Sequence, residues 1–133
     1  MAKPLILLSS RSSFNRYQES IQYAKEHHYQ GIEWYLEYYR IPSWKGLRIK
    51  FFDTIRESNL PYSFHAPVSD VELAIKDKTY SKVALDYLKM YIDFLGEIAP
   101  ADLTIHIGAR RIPVEELSWD NALDNLKRLV EHG

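Results

Sequence analysis

The chain contains no cysteine, only five glycines and six prolines, and almost no surplus of charge: 17 Lys and Arg stand against 18 Asp and Glu, a net charge of −1 with five neutral His. Without cysteine there are no disulfides and no thiolate metal sites, which fits a reducing cytoplasm as its location. A near-neutral balance does not call for nucleic acid or an anionic membrane as partner. The apolar run Leu5-Ile6-Leu7-Leu8 is too short for a signal peptide core or a membrane span. No Gly-x-Ser-x-Gly elbow is present, and with no cysteine nucleophilic catalysis is poorly supported. No glycine-rich phosphate loop appears, so nucleotide binding of the P-loop or dinucleotide type is not expected.

What the chain does have is apolar and aromatic material. Of its 133 residues, 46% are hydrophobic and 14% aromatic, ten of them tyrosine, which excludes a disordered chain and supplies a core for one domain spanning 1–133. A complete eight-unit barrel needs roughly 250 residues, so this length fits about half of one.

Short apolar runs alternate with longer helical patterns. Leu5–Ser9 reads as a buried strand, followed by a Ser-rich loop and a helix to about His28 whose stripe is Tyr17, Ile21, Ala24 and His28. Gly31 breaks the pattern and Ile32–Leu36 is a second strand. A loop with Arg40, Pro42 and Trp44 leads to a helix over about Gly46–Ser58, stopped by Asn59 and Pro61. Tyr62–His65 is a third strand, followed by a long polar loop with Pro67 and Asp70. Tyr80, Val83, Ala84, Tyr87, Leu88, Tyr91, Ile92 and Leu95 predict a long helix ended by Gly96 and Pro100. Leu103–Ile107 is a fourth strand, and Ser118 caps a last helix carrying Trp119, Ala122, Leu123, Leu126, Leu129 and Val130.

This βαβαβαβα alternation implies an α/β fold of four βα units on a parallel sheet. It fits a small doubly wound sheet or half of a (β/α)8 barrel. In both, ligands gather where the strands end. The strands and their ends carry Ser9 and Ser10 after the first strand, Glu33 within the second, His65 at the third and His106 at the fourth. Two imidazoles on neighbouring strands, about 4.8 Å apart, can share a divalent metal, which binds a ring nitrogen at about 2.0–2.1 Å. Glu33 would then be a third ligand or orient a histidine. Arg11, Arg40, Lys45, Arg110 and Arg111 fall in the loops after strands and suggest a cationic mouth suited to a phosphorylated ligand. Glu19, Glu26, Glu57 and Glu131 lie on polar helix faces, and His27, His28 and His132 at helix ends, where solvation and the helix dipole account for them.

Gly31-Ile32-Glu33-Trp34, Ser63-Phe64-His65-Ala66-Pro67 and Thr104-Ile105-His106-Ile107-Gly108, in this order, resemble the xylose isomerase-like TIM barrel superfamily. That group includes sugar-phosphate isomerases and epimerases and the family-2 AP endonucleases. Asp70-Val71-Glu72-Leu73-Ala74 resembles the segment after its H-A-P motif, and Asn121–Gly133 resembles the helix before its fifth strand. The resemblance covers nearly the whole chain but only the first half of the family's domain, so it implies half of a (β/α)8 TIM barrel. Completion would come from a covalent second half or from a homodimer that joins the strands of two copies into one ring.

The activity implied is sugar or sugar-phosphate isomerisation or epimerisation, in which a divalent metal (Mn, Zn, Mg or Co) assists proton transfer between adjacent carbons. Glu33, His65, His106 and Arg110 are the expected substrate-binding residues, Arg110 as a phosphate contact and His65 and His106 also as metal ligands. The proton-transfer carboxylates would lie in the absent half. One alternative is AP endonuclease-like metal-dependent phosphodiester cleavage, again with His65 and His106 as ligands. It is disfavoured by the net charge of −1 and departs from the family at Ile107, where a proline is usual. The other is a non-catalytic half-barrel that binds or assembles.

Overall fold

A computed structural model describes residues 5–10, 16–36, 45–69, 71–98, 101–107 and 112–133, with the side chains of 45–48 left out. The elements run β1 (Leu7–Ser10), α1 (Tyr17–Glu26), β2 (Gly31–Tyr35), α2 (Lys45–Glu57), β3 (Tyr62–His65), α3 (Lys78–Leu95), β4 (Leu103–Thr104) and α4 (Trp119–Val130), with a short 3-10 turn at Val114–Glu116. The protein is thus α/β, with four α-helices and an all-parallel four-stranded sheet among the described residues. No helix among the described residues is long and apolar enough to cross a membrane. The contacts divide the chain into two compact units. The first holds residues 1–65 and 101–104, hence the whole sheet with α1 and α2. The second holds 66–100 and 105–133, hence α3 and α4.

The strand order is β1-β2-β3-β4. The order follows the chain without reversal, so these strands contain no switch point of the doubly wound kind. Register assigns each side chain to a face, because successive residues alternate and paired residues share a side. Ser10, Trp34, Phe64 and Leu103 form one transverse row. Helices α1 and α2 cover this side. The Ser10 and Ser20 hydroxyls hydrogen-bond at 2.8 Å, bringing in α1. Trp34 meets Phe51 of α2 edge to face, with ring centroids 5.6 Å apart, and Tyr17 of α1 meets the same Phe51 at 5.6 Å. Ile21, Ala24, Ile32, Phe52 and Ile55 are buried with them.

Gly31 opens β2 because its backbone lies against the strand that follows α2. A Cβ there would sit inside contact distance of the Pro61 carbonyl oxygen and 2.7 Å from Leu7 Cδ2. The turns before β2 and β3 use left-handed residues, His28 at φ 59° and Asn59 at φ 55°. His28 is exposed. It lies beyond α1, which ends at Glu26 with His27 as its cap, instead of extending the apolar stripe, and the buried stripe is Tyr17, Ser20, Ile21 and Ala24.

In the second unit, Asp77 caps α3 by accepting from the backbone N–H groups of Thr79 and Tyr80 at 2.8 and 3.0 Å. Replacing Asp77→Ala is expected to lower stability by about 1 kcal/mol, read from urea unfolding. The buried arc of α3 is Ser81, Ala84, Leu85, Leu88, Tyr91 and Phe94. Tyr80, Val83 and Tyr87, which the periodicity includes in its stripe, are exposed. Ser118 caps α4 as expected, accepting from Asn121 N. That helix buries Ala122, Asn125 and Leu129, while Trp119, Leu123 and Val130 face outward.

The segment after β3 differs from the polar loop expected of it. Ala66, Val71, Glu72, Leu73 and Ala74 are all buried. Its backbone is held on both sides: Ala74 N donates to Ile107 O at 3.1 Å, Ser118 N to Ala74 O at 2.6 Å, and Lys76 N to Glu116 O at 2.8 Å. Buried peptide groups need such partners, which is how an irregular segment can lie inside.

Candidate functional site

The sheet face opposite α1 and α2 is polar. Ser9, Glu33 and Ser63 form one transverse row, and Tyr35, His65 and Thr104 form the next. In β2 the apolar residues Ile32 and Trp34 turn to the helices, so Glu33 and Tyr35 turn away from them and are half-buried. In β3 the same alternation sends Phe64 to the helices and Ser63 and His65 to the polar face.

Two side-chain contacts organise this face. The Thr104 hydroxyl donates to Glu33 Oε1 at 3.3 Å, across the intervening strand β3. The Tyr35 and His65 rings stack with centroids 4.2 Å apart and planes 19° apart. His65 is only 8% exposed, so the stacked phenol ring and the burial fix the imidazole plane. The Leu36 N–H also donates to the His65 carbonyl at 2.8 Å, tying the ends of β2 and β3 together. A carboxylate, an imidazole and four hydroxyl groups on one surface offer donors and acceptors suited to a ligand rich in hydroxyl groups.

Of the expected site residues, Glu33 and His65 share this face. His106 lies two residues beyond β4, which ends at Thr104 instead of continuing to Ile107. It is exposed and belongs to the second unit. Arg110 lies outside the described residues, as do Arg11, Arg40 and Arg111, and Lys45 is the first residue of α2. The cationic mouth therefore stays an expectation from the sequence. Among the described residues no group of three or more His, Asp or Glu side chains is placed to hold a metal ion. Two imidazoles fall short of the three protein ligands usual at a catalytic zinc.

Tyr35, Ser63 and Thr104 were not singled out from the sequence. A signal was there: Tyr35 and Ser63 lie two residues from Glu33 and His65, and residues two apart on a strand share a face. Thr104 needed the register between β3 and β4. Thr104→Val is expected to change stability by under about 1 kcal/mol, since its bond is exposed. Its measurable effect should be greater mobility of the Glu33 carboxylate in side-chain NMR relaxation.

No protein-family model matches the chain, and no curated protein matches it.

Proposed function

We propose that the four βα units form half of a (β/α)8 barrel of the xylose isomerase-like kind, and that the polar sheet face binds a sugar or sugar phosphate for isomerisation or epimerisation. The observation that carries this reading is the division of the sheet: apolar side chains face the two helices, while Ser9, Glu33, Ser63, Tyr35, His65 and Thr104 share the other side. A barrel places its helices outside and its ligand-binding residues at the mouth. The unreversed strand order supports the same winding. The open outer strands β1 and β4 call for a covalent second half or a second copy, which native mass spectrometry of the chain distinguishes.

Glu33 would accept hydrogen bonds from sugar hydroxyls, with Thr104 holding the carboxylate in place. His65, steadied by Tyr35, would donate to or accept from a neighbouring oxygen. His106 and Arg110 belong to the proposal through the motif resemblance, Arg110 as the phosphate contact. A divalent metal would supply carbonyl polarisation when bound. His65 and His106 would need a third ligand to hold it. The proton-transfer carboxylates are assigned to the completing half, so binding is the property to test in this chain.

The test is saturation-transfer NMR of the 133-residue protein against aldoses, ketoses and their phosphates. Transfer to at least one member is expected, with affinity reduced at least about tenfold in Glu33→Gln, the loss of a charge-assisted hydrogen bond. No transfer, or equal transfer with wild type and Glu33→Gln, would contradict the reading.

A further inference from the structure

The second unit carries a groove that the sheet-face reading does not use. It runs between α3 and α4 and encloses about 420 Å³, within the usual range for a small-molecule site. Its rim has four cations, Lys78, Lys82, Lys89 and Arg128, against two carboxylates, Asp86 and Asp124. The carboxylates are already used. Lys82 pairs with Asp86 one turn along α3, and Arg128 Nη2 lies 2.9 Å from Asp124 Oδ2 on α4. Lys78 and Lys89 have no ion pair among the described residues. The groove therefore has two positive charges in excess, although the chain as a whole is slightly negative.

The floor is polar as well. Ser81 and Asn125 line it and are each 5% exposed. The Asn125 side-chain amide donates to Leu73 O at 2.8 Å and to Ser81 Oγ at 2.7 Å. Both amide hydrogens are then spent. The Ser81 oxygen acts as acceptor, and its own O–H has no acceptor among the described residues. A buried donor without an acceptor is costly unless something else satisfies it. This donor lies at the bottom of a groove whose excess charge is positive.

We propose that the α3–α4 groove is a binding site for a multiply phosphorylated small molecule. One phosphoryl oxygen accepts from Ser81 Oγ–H at the floor while Lys78 and Lys89 close on the ligand from the rim. Lys78, Lys82 and Lys89 follow one another at about 6 and about 10 Å along the helix axis, a spacing that favours several anionic groups over one. The two lysines make the charge-assisted hydrogen bonds that give such contacts their strength.

The probes are orthophosphate, pyrophosphate and tripolyphosphate, titrated into the 15N-labelled full chain without added metal. Affinity should rise along that series. The Asn125 side-chain amide signals and the Ser81 backbone signal should shift in a saturable way. Lys78→Gln/Lys89→Gln should weaken tripolyphosphate at least about tenfold, corresponding to about 1.4 kcal/mol. Lys25→Gln, on α1, should leave it unchanged. Ser81→Ala should weaken binding, with unaltered circular dichroism checking that the fold persists. Shifts that spread over all lysines without saturating, or equal affinity in the double variant, would overturn the proposal. Glu33→Gln is expected to bind tripolyphosphate normally, so failure of this site and failure of the sheet-face reading are told apart.

Discussion

Trp34→Ala should lower the unfolding free energy by about 3–5 kcal/mol, the usual cost of truncating a large buried aromatic. Trp34 is 1% exposed. It stands in the row Ser10, Trp34, Phe64 and Leu103 that crosses the whole sheet, and it meets Phe51 edge to face. Phe51 also contacts Tyr17 of α1, so one indole joins the sheet to both helices of its unit. Whole domains have only about 5–15 kcal/mol in hand, so this single change should leave a large part of the population unfolded at modest urea concentrations. Far-ultraviolet circular dichroism is the suitable readout, because the substitution removes a fluorophore. Trp34→Phe should cost clearly less. A loss under about 1 kcal/mol for the alanine variant would mean that the helices do not pack on this face.

Gly31→Ala should cost about 2–3 kcal/mol, the scale of overpacking in a closely packed site, and lower the melting temperature by roughly 10 °C. The added methyl meets two groups. Leu7 Cδ2 at 2.7 Å is the end of a flexible side chain and can turn away. The Pro61 carbonyl cannot, because it accepts the Ile32 N–H at 3.0 Å and so fixes the start of the β2–β3 ladder. Relief of the clash must loosen that ladder, and with it the alignment of Glu33 with Ser63 and of Tyr35 with His65. Differential scanning calorimetry reads the effect directly. An unchanged melting temperature would show that β2 and β3 are not held at this separation.

Much of the architecture was legible in residue order. Tyr62–His65 is a strand with the bounds read from its composition, and Ser118 caps α4 as its position predicts. Alternation of apolar runs with helical stripes suffices to predict a parallel sheet. The shortfalls come from long-range effects. Periodicity locates α3 but cannot tell which of its two apolar arcs is buried, because Tyr80, Val83 and Tyr87 lie beside the buried arc. The segment from Ala66 to Ala74 has the polar and proline residues of a loop. Its residues Ala66, Val71, Leu73 and Ala74 are nonetheless buried, and Ile107 and Ser118, distant in sequence, supply the backbone partners of Ala74 while Glu116 supplies that of Lys76. β4 is shorter than its apolar run, with only Leu103 and Thr104 paired to β3. That places His106 beyond the strand.

The candidate site was legible in its charged members and not in its neutral ones. Glu33 and His65 stand out as an ionisable pair on neighbouring strands, Glu33 within β2 and His65 at the end of β3. Tyr35 and Thr104 are ordinary strand residues until register sets one against His65 and the other within reach of Glu33. The α3–α4 groove was hidden for the same reason. Lys78, Lys82 and Lys89 carry no signal by themselves, and only the fold brings Arg128 and the floor residues Ser81 and Asn125 to them.

The most direct test of the central claim is the imidazole signal of His65, followed by 15N–1H correlation NMR during titration with aldose and ketose phosphates. His65 is buried and stacked on Tyr35, so its ring nitrogens report events on the polar sheet face and not at the outer surface. Saturable shifts at His65 that need at least about tenfold more ligand in Glu33→Gln are the predicted result. Shifts confined to Ser81 and Asn125, with His65 unmoved at every ligand concentration, would contradict a ligand site on the sheet.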